Sequence, residues 1–145
     1  MTPRVLVVDD DDDIRVLLAE LLRLSGFVPA MAGNGREAIE YLRTCPPAER
    51  PVLVLLDVQM PDLDGWETLR RIRQEVRVDT PVILCTVKAS DADLDRGWAL
   101  GCDGYVAKPF AIEDLVREIH AVIDRPPDAR QHHRDAARRA LAARA

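Results

Sequence analysis

Val7-Val8-Asp9-Asp10-Asp11-Asp12-Asp13 runs an apolar segment, Val5 to Val8, straight into five consecutive carboxylates. Like charges this dense repel one another unless a cation sits among them. Clustered hard oxygen ligands suit Mg²⁺ or Ca²⁺. Another acid ends a second apolar run, Val52-Leu53-Val54-Leu55-Leu56-Asp57. One lysine ends a further run, Tyr105-Val106-Ala107-Lys108-Pro109. Carboxylates and a lysine at the ends of separate strands are the parts of a site for phosphate and magnesium. Asp9 and Asp10 are read as metal-site residues. Asp12 and Asp13 are read as an acidic cap that favours a helix amino terminus, with Asp11 open between the two roles. Asp62 and Asp64 are read as a turn and a helix start before Gly65.

The elements that must position these groups follow from the apolar pattern. Strands are expected over Arg4–Val8, Phe27–Met31, Val52–Asp57, Pro81–Cys85 and Gly104–Ala107. Helices are expected over Asp13–Leu24, Gly35–Thr44, Gly65–Gln74, Ser90–Leu100 and Ala111–Asp124. In the first helix Ile14, Leu17, Leu18, Leu21 and Leu22 share one face, and Ser25-Gly26 is a stop signal. Ser90 is the expected N-cap of the fourth helix, and Gly101 its end. Alternating strands and helices imply an α/β fold, a doubly wound parallel sheet with helices on both faces. Such sheets form their sites at the carboxyl ends of the strands. Asp9, Asp10, Asp57, Thr86 and Lys108 would all meet there.

The chain has 145 residues, a net charge of −5 and 48% hydrophobic residues, which fits one domain with a real core. The acidic balance argues against direct DNA binding. Residues 125–145 nevertheless carry +4, leaving −9 for residues 1–124. No segment has the ~20 apolar residues of a membrane helix, and no signal peptide is visible, so a cytoplasmic location is expected. Cys45, Cys85 and Cys102 lack metal-like spacing and are expected to be reduced thiols. Trp66 and Trp98 are read as core or half-buried, and His120, His132 and His133 as surface residues. After Pro126 and Pro127 a short segment rich in Ala and Arg places Arg130, Arg134 and Arg138 on one helical face. One folded domain over residues 1–125 and a basic tail over 126–145, too short to be a domain, are therefore expected. The tail is predicted to be a mobile or partner-stabilised helix, drawn to an acidic surface on a partner or on the preceding domain itself.

Residues 4–124 resemble a response-regulator receiver domain of the kind found in chemotaxis regulators. The motifs are Val-Val-Asp9-Asp10, Leu56-Asp57 through Gly65, Cys85-Thr86, and Gly104-Tyr105-Val106-Ala107-Lys108-Pro109-Phe110. The resemblance implies a flavodoxin-like strand order 2-1-3-4-5. It implies that Asp57 accepts a phosphoryl group from a sensor histidine kinase, a histidine phosphotransfer protein or a small donor. Mg²⁺ or Mn²⁺ would be held by Asp10, Asp57 and the Gln59 carbonyl, with Asp9 in support. Thr86 and Lys108 would hold phosphate oxygens, and Tyr105 would turn inward as a switch. Gln59 and Lys88 would tune the phosphate lifetime, and Val87, larger than is usual there, would restrict access. Lys108–Pro109 is expected to be a cis peptide. A downstream protein would bind residues 90–124. The expected function is a stand-alone phosphoacceptor regulator in a two-component or phosphorelay system, not an enzyme in the ordinary sense. The competing readings are a degenerate receiver acting as a scaffold, and a phosphatase-like enzyme with Asp57 as nucleophile. Gln59 counts against the second, because such enzymes carry an aspartate at that position.

Overall fold

The computed structural model describes residues 2–87 and 90–144. Lys88, a predicted tuning residue, lies outside them. Five strands form the sheet: β1 (Arg4–Val8), β2 (Val28–Ala32), β3 (Leu53–Asp57), β4 (Val82–Thr86) and β5 (Gly104–Ala107). All neighbours pair in parallel, in the order β2-β1-β3-β4-β5. This is the predicted order. The helices are α1 (Asp12–Leu24), α2 (Gly35–Thr44), α3 (Gly65–Arg71), α4 (Asp91–Leu100), α5 (Ile112–Asp124) and α6 (Pro127–Ala142).

β3 and β4 are buried at every position. Strands covered on both faces read as unbroken apolar runs, and these do. Alternate residues then serve opposite layers. Leu6, Val8, Val54, Leu56, Val82 and Leu84 pack with Ile39 and Leu42 of α2 and Leu69 of α3. Val5, Val7, Leu53, Leu55, Ile83 and Cys85 pack with Leu18 and Leu22 of α1 and Ile119 of α5. Cys85 and Cys102 are buried free thiols and Cys45 is half-buried, as expected. Burial pushes the Cys85 thiol up to about 12.

Several boundaries differ from expectation. α3 runs on as a π-helical turn, Ile72–Val76, and stops at Arg77 in a left-handed conformation. The proline-rich loop after α2 holds a 3₁₀ turn, Pro47–Glu49. On the apolar face of α1, Leu17 is exposed although Leu18 and Leu22 are buried. It lines an apolar groove with Ile14, Val87 and Phe110.

The tail departs in part: it is a basic helix drawn to the acidic surface of the preceding domain itself, one of the two expected surfaces, but it is docked rather than mobile. Helix α6 is neither free nor waiting for a partner; it is packed on α4. Arg125 is extended, Pro126 follows, and Pro127 opens the new helix at the position where a missing N–H costs nothing. Arg130 and Arg134 are buried, and both donate to the Asp103 carboxylate. His133, expected on the surface, is half-buried with its ring 5.6 Å from that of Trp98. The four-residue arginine spacing supplies this face, with Arg138 paired to Asp95 of α4.

Candidate phosphoacceptor site

β1 and β3 are adjacent and in register, Val8 beside Leu56, so their acidic ends emerge together. The carboxylates of Asp9, Asp10 and Asp57 lie within 4.8 Å of one another. Asp9 and Asp57 are buried and Asp10 is exposed. Lys108, just past β5, reaches both buried acids, with Nζ 3.0 Å from Asp9 Oδ2 and 3.2 Å from Asp57 Oδ1. The Lys108–Pro109 peptide is cis. Thr86, buried at the end of β4, accepts the Lys108 backbone N–H through its carbonyl at 2.8 Å.

Charge is not balanced here. Burial raises the Asp57 carboxyl above the usual range; Lys108 opposes this and Asp9 adds to it. Burial opposes the charge on Lys108, but Asp9 and Asp57 raise it above its ordinary value. Among the described residues, three carboxylates face one ammonium group. This hard oxygen set fits a small divalent cation. Asp9 is already committed, since Asp11 N–H and Lys108 donate to its two oxygens. Asp57 also accepts from Lys108, so exposed Asp10 is the most open of the three ligands. The Gln59 backbone N–H donates to the Asp57 carboxylate, while its side chain is exposed.

The surroundings hold these groups in place. Asp11 is the N-cap of α1 and accepts from Asp13 and Ile14, which settles its role. Asp64 caps α3 through Glu67, and Asp62 takes a left-handed turn conformation and pairs with Arg36. Gly65 is needed where α3 starts against β3. A Cβ there would lie 2.5 Å from the Asp57 carbonyl oxygen. One brace was not foreseen: Arg15 Nη1 donates to the Asp9 carbonyl at 2.7 Å. Its place one turn into α1, three residues after Asp12, was the available signal.

Tyr105 lies half-buried beside α4, and its hydroxyl donates to the carbonyls of Asp93 and Leu94 at 2.9 and 3.1 Å. Gly97 makes room for it; a Cβ there would sit 1.7 Å from the phenol oxygen. Trp66 is buried under the Arg96 guanidinium. A second polar centre, missed in the sequence, surrounds Asp103. It accepts from Arg73, Arg130, Arg134 and the Val82 N–H.

Residues 5–120 match the family model of the response regulator receiver domain. The response regulator MprA of Mycolicibacterium vanbaalenii is 38% identical over 125 residues, 86% of this chain and 52% of that protein. The transcriptional regulatory protein CpxR of Escherichia coli is 39% identical over 122 residues, 84% of this chain and 50% of that protein. The chain therefore spans about half the length of these curated relatives. Among solved structures, the Vibrio cholerae chemotaxis protein CheY4 superposes with a TM-score of 0.77 at 30% identity, covering 84% of this chain and 99% of that one. A CheY-like receiver domain protein from Methanospirillum hungatei gives a TM-score of 0.77 at 27% identity, covering 86% and 95%. With four-fifths of its length matched and the parallel sheet in the expected order, the chain belongs to the response regulator receiver family.

Proposed function

We propose that this chain is a phosphorylation switch in two-component or phosphorelay signalling, with Asp57 as the phosphoacceptor. The observation that carries the reading is the meeting of Asp9, Asp10 and Asp57 at adjacent strand ends, with Lys108 delivered to them from β5. An Asp57 oxygen attacks the phosphorus of the donor. A bond from that oxygen to phosphorus forms as the bond to the donor's nitrogen or acyl oxygen breaks. The donor atom leaves with the electron pair. The donor class is a phosphohistidine protein or a small acyl phosphate. Asp10 and Asp57 would hold Mg²⁺ or Mn²⁺ with the Gln59 carbonyl, which would supply charge neutralisation for the group in transfer. Lys108 supplies a compact positive charge for the phosphate oxygens, and Thr86 a hydroxyl. Positioning and electrostatics do most of the work, as expected for phosphoryl transfer.

The complete acidic set with its lysine supports a working switch over a degenerate scaffold. Gln59 beside Asp57 supports a phosphoacceptor over a phosphatase-like enzyme. No helix among the described residues is long and apolar enough to cross a membrane, which fits the proposed action in the cytoplasm beside a kinase. Stand-alone action has a parallel in the chemotaxis protein, covered over 99% of its solved chain. The native product should then have a mass near 16.2 kDa, and a product of twice that size would end this part of the reading. Function is tested by incubation with acetyl phosphate and Mg²⁺ and measurement of intact mass. One acid-labile phosphoryl adduct is expected, lost in Asp57→Asn and with chelator. An equal adduct on Asp57→Asn refutes the assignment.

A further inference from the structure

Helix α6 is held mainly by polar groups. Its two buried side chains are Arg130 and Arg134, both on Asp103. At its rim Arg138 pairs with Asp95 and Arg144 with Asp91, all four groups substantially exposed. Exposed ion pairs hold weakly and are screened by salt. A helix attached in this way opens at lower cost than the apolar core.

The element it grips is α4, and Tyr105 grips the same element. The Tyr105 hydroxyl is bonded to the carbonyls of Asp93 and Leu94, in the turns that present Asp91 and Asp95 to α6. The two attachments are also joined through rings. Trp98 of α4 packs edge-on against Tyr105 at 5.5 Å and against His133 of α6 at 5.6 Å. Trp98 therefore cannot follow one neighbour without leaving the other. Tyr105 itself lies three residues from Lys108 and opposite Leu84 of β4, which is two positions before Thr86.

We propose that α6 is an intramolecular latch over α4, released when Asp57 is phosphorylated, with Tyr105, Trp98 and His133 carrying the coupling. The proposal rests on the phosphoacceptor reading of Asp57. Without phosphate, Tyr105 pins the first turns of α4, and those turns hold α6. Movement of the ring frees the Asp93 and Leu94 carbonyls, shifts Trp98 and removes the seat of His133. Coupling is reciprocal, so opening α6 favours the phosphorylated form of the site. Release uncovers Trp98 and frees Asp91 and Asp95, the α4 groups that α6 contacts while docked.

The experiment uses the full chain. Hydrogen exchange of residues 127–142 is followed with and without acetyl phosphate and Mg²⁺, with intact mass reporting the adduct. Exchange should rise about 5-fold or more on phosphorylation, the lower end of ordinary allosteric coupling. The double variant Arg138→Glu, Arg144→Glu opens α6 from its rim, far from the site. It should bind beryllium fluoride, a non-covalent phosphoryl mimic, more tightly than wild type in Mg²⁺. A full adduct with unchanged exchange overturns the latch and leaves the Asp57 reading standing. No adduct at all overturns both. A rim variant with raised exchange and unaltered beryllium fluoride affinity also overturns the latch.

Discussion

Replacing Asp103 with asparagine should be among the most damaging single changes to this fold, although Asp103 lies outside the proposed phosphoacceptor site. Its side chain is 1% exposed and accepts five hydrogen bonds. One comes from the Val82 backbone N–H at 3.0 Å, two from Arg130 at 2.8 and 2.9 Å, one from Arg73 at 3.0 Å and one from Arg134 at 2.9 Å. These partners hold the carboxyl below its usual range despite its burial. Asparagine keeps the shape but removes the charge, and turns an N–H₂ group toward the guanidinium groups. Breaking a buried ion pair by removing one partner costs about 3–5 kcal/mol. In a domain of this size each kcal/mol lowers Tm by about 2–4 °C, so a fall of roughly 6–20 °C is expected. Arg138→Ala and Arg144→Ala break only exposed pairs and should each cost about 0–1 kcal/mol. Thermal melts followed by circular dichroism decide the matter. An Asp103→Asn protein melting within about 2 °C of wild type, or no lower than the rim variants, would refute the view that buried charge anchors α6.

Three further changes test other parts of the structure. Gly97→Ala should cost about 1–3 kcal/mol and unseat Tyr105, because the new Cβ meets the phenol oxygen and Leu84 Cδ1; a melt unchanged from wild type would sink the idea. Mg²⁺ should raise Tm by mass action, and Asp10→Asn should abolish that rise with little cost in metal-free buffer, because Asp10 is exposed. Acid should loosen α6 through His133, whose pKa lies below the ordinary value through burial and the nearby Arg125 and Arg134, against the opposing pull of Asp103. The undocked imidazole takes up its proton first, so docking weakens as pH falls below about 6.5. The Asp103 contribution is kept in that range, because a depressed carboxyl loses its effect only below the ordinary value, about 3.9. Exchange of residues 127–142 should therefore rise between about pH 7.5 and 5.5, and His133→Gln should flatten the change.

Much of the fold was legible because its strands are buried on both faces. Val5–Val8, Leu53–Leu56 and Val82–Cys85 read as unbroken apolar runs, and their acidic or polar ends marked the sheet's carboxyl edge. The helix starts were legible where a side chain caps them, as Ser90 does for Asp93 N–H and Asp64 for Glu67 N–H. The π-helical turn at Ile72–Val76 was not, because it depends on Arg73, which reaches the carbonyls of Val78, Thr80 and Gly101. Those contacts span up to 28 residues and leave no periodicity to read. The docking of α6 was half legible. The spacing of Arg130, Arg134 and Arg138 showed a basic face. It did not show that a single carboxylate between Cys102 and Gly104 would bury two of those arginines.

The two charge centres follow opposite rules, and their places in the sheet explain why. At the carboxyl ends of β1 and β3, three carboxylates face one lysine, and one of the three is open to solvent. Among the described residues that end is short of positive charge and accessible, so a divalent cation and a transferring phosphoryl group can change its balance. Asp103 precedes β5, at the opposite end of the sheet. There one carboxylate is enclosed by three arginines and a backbone N–H, and no lone pair is left for a ligand. Its buried atoms are screened little by salt, so salt should act on the outer pairs of α6 before it acts on this anchor. The helix is thus fixed at its amino-terminal half and loosely held at its carboxyl-terminal end, where Arg138 and, just past the helix, Arg144 sit on α4. Opening should begin at that outer end. A signal that moves α4 reaches the weaker contacts first, and the buried anchor opens after them.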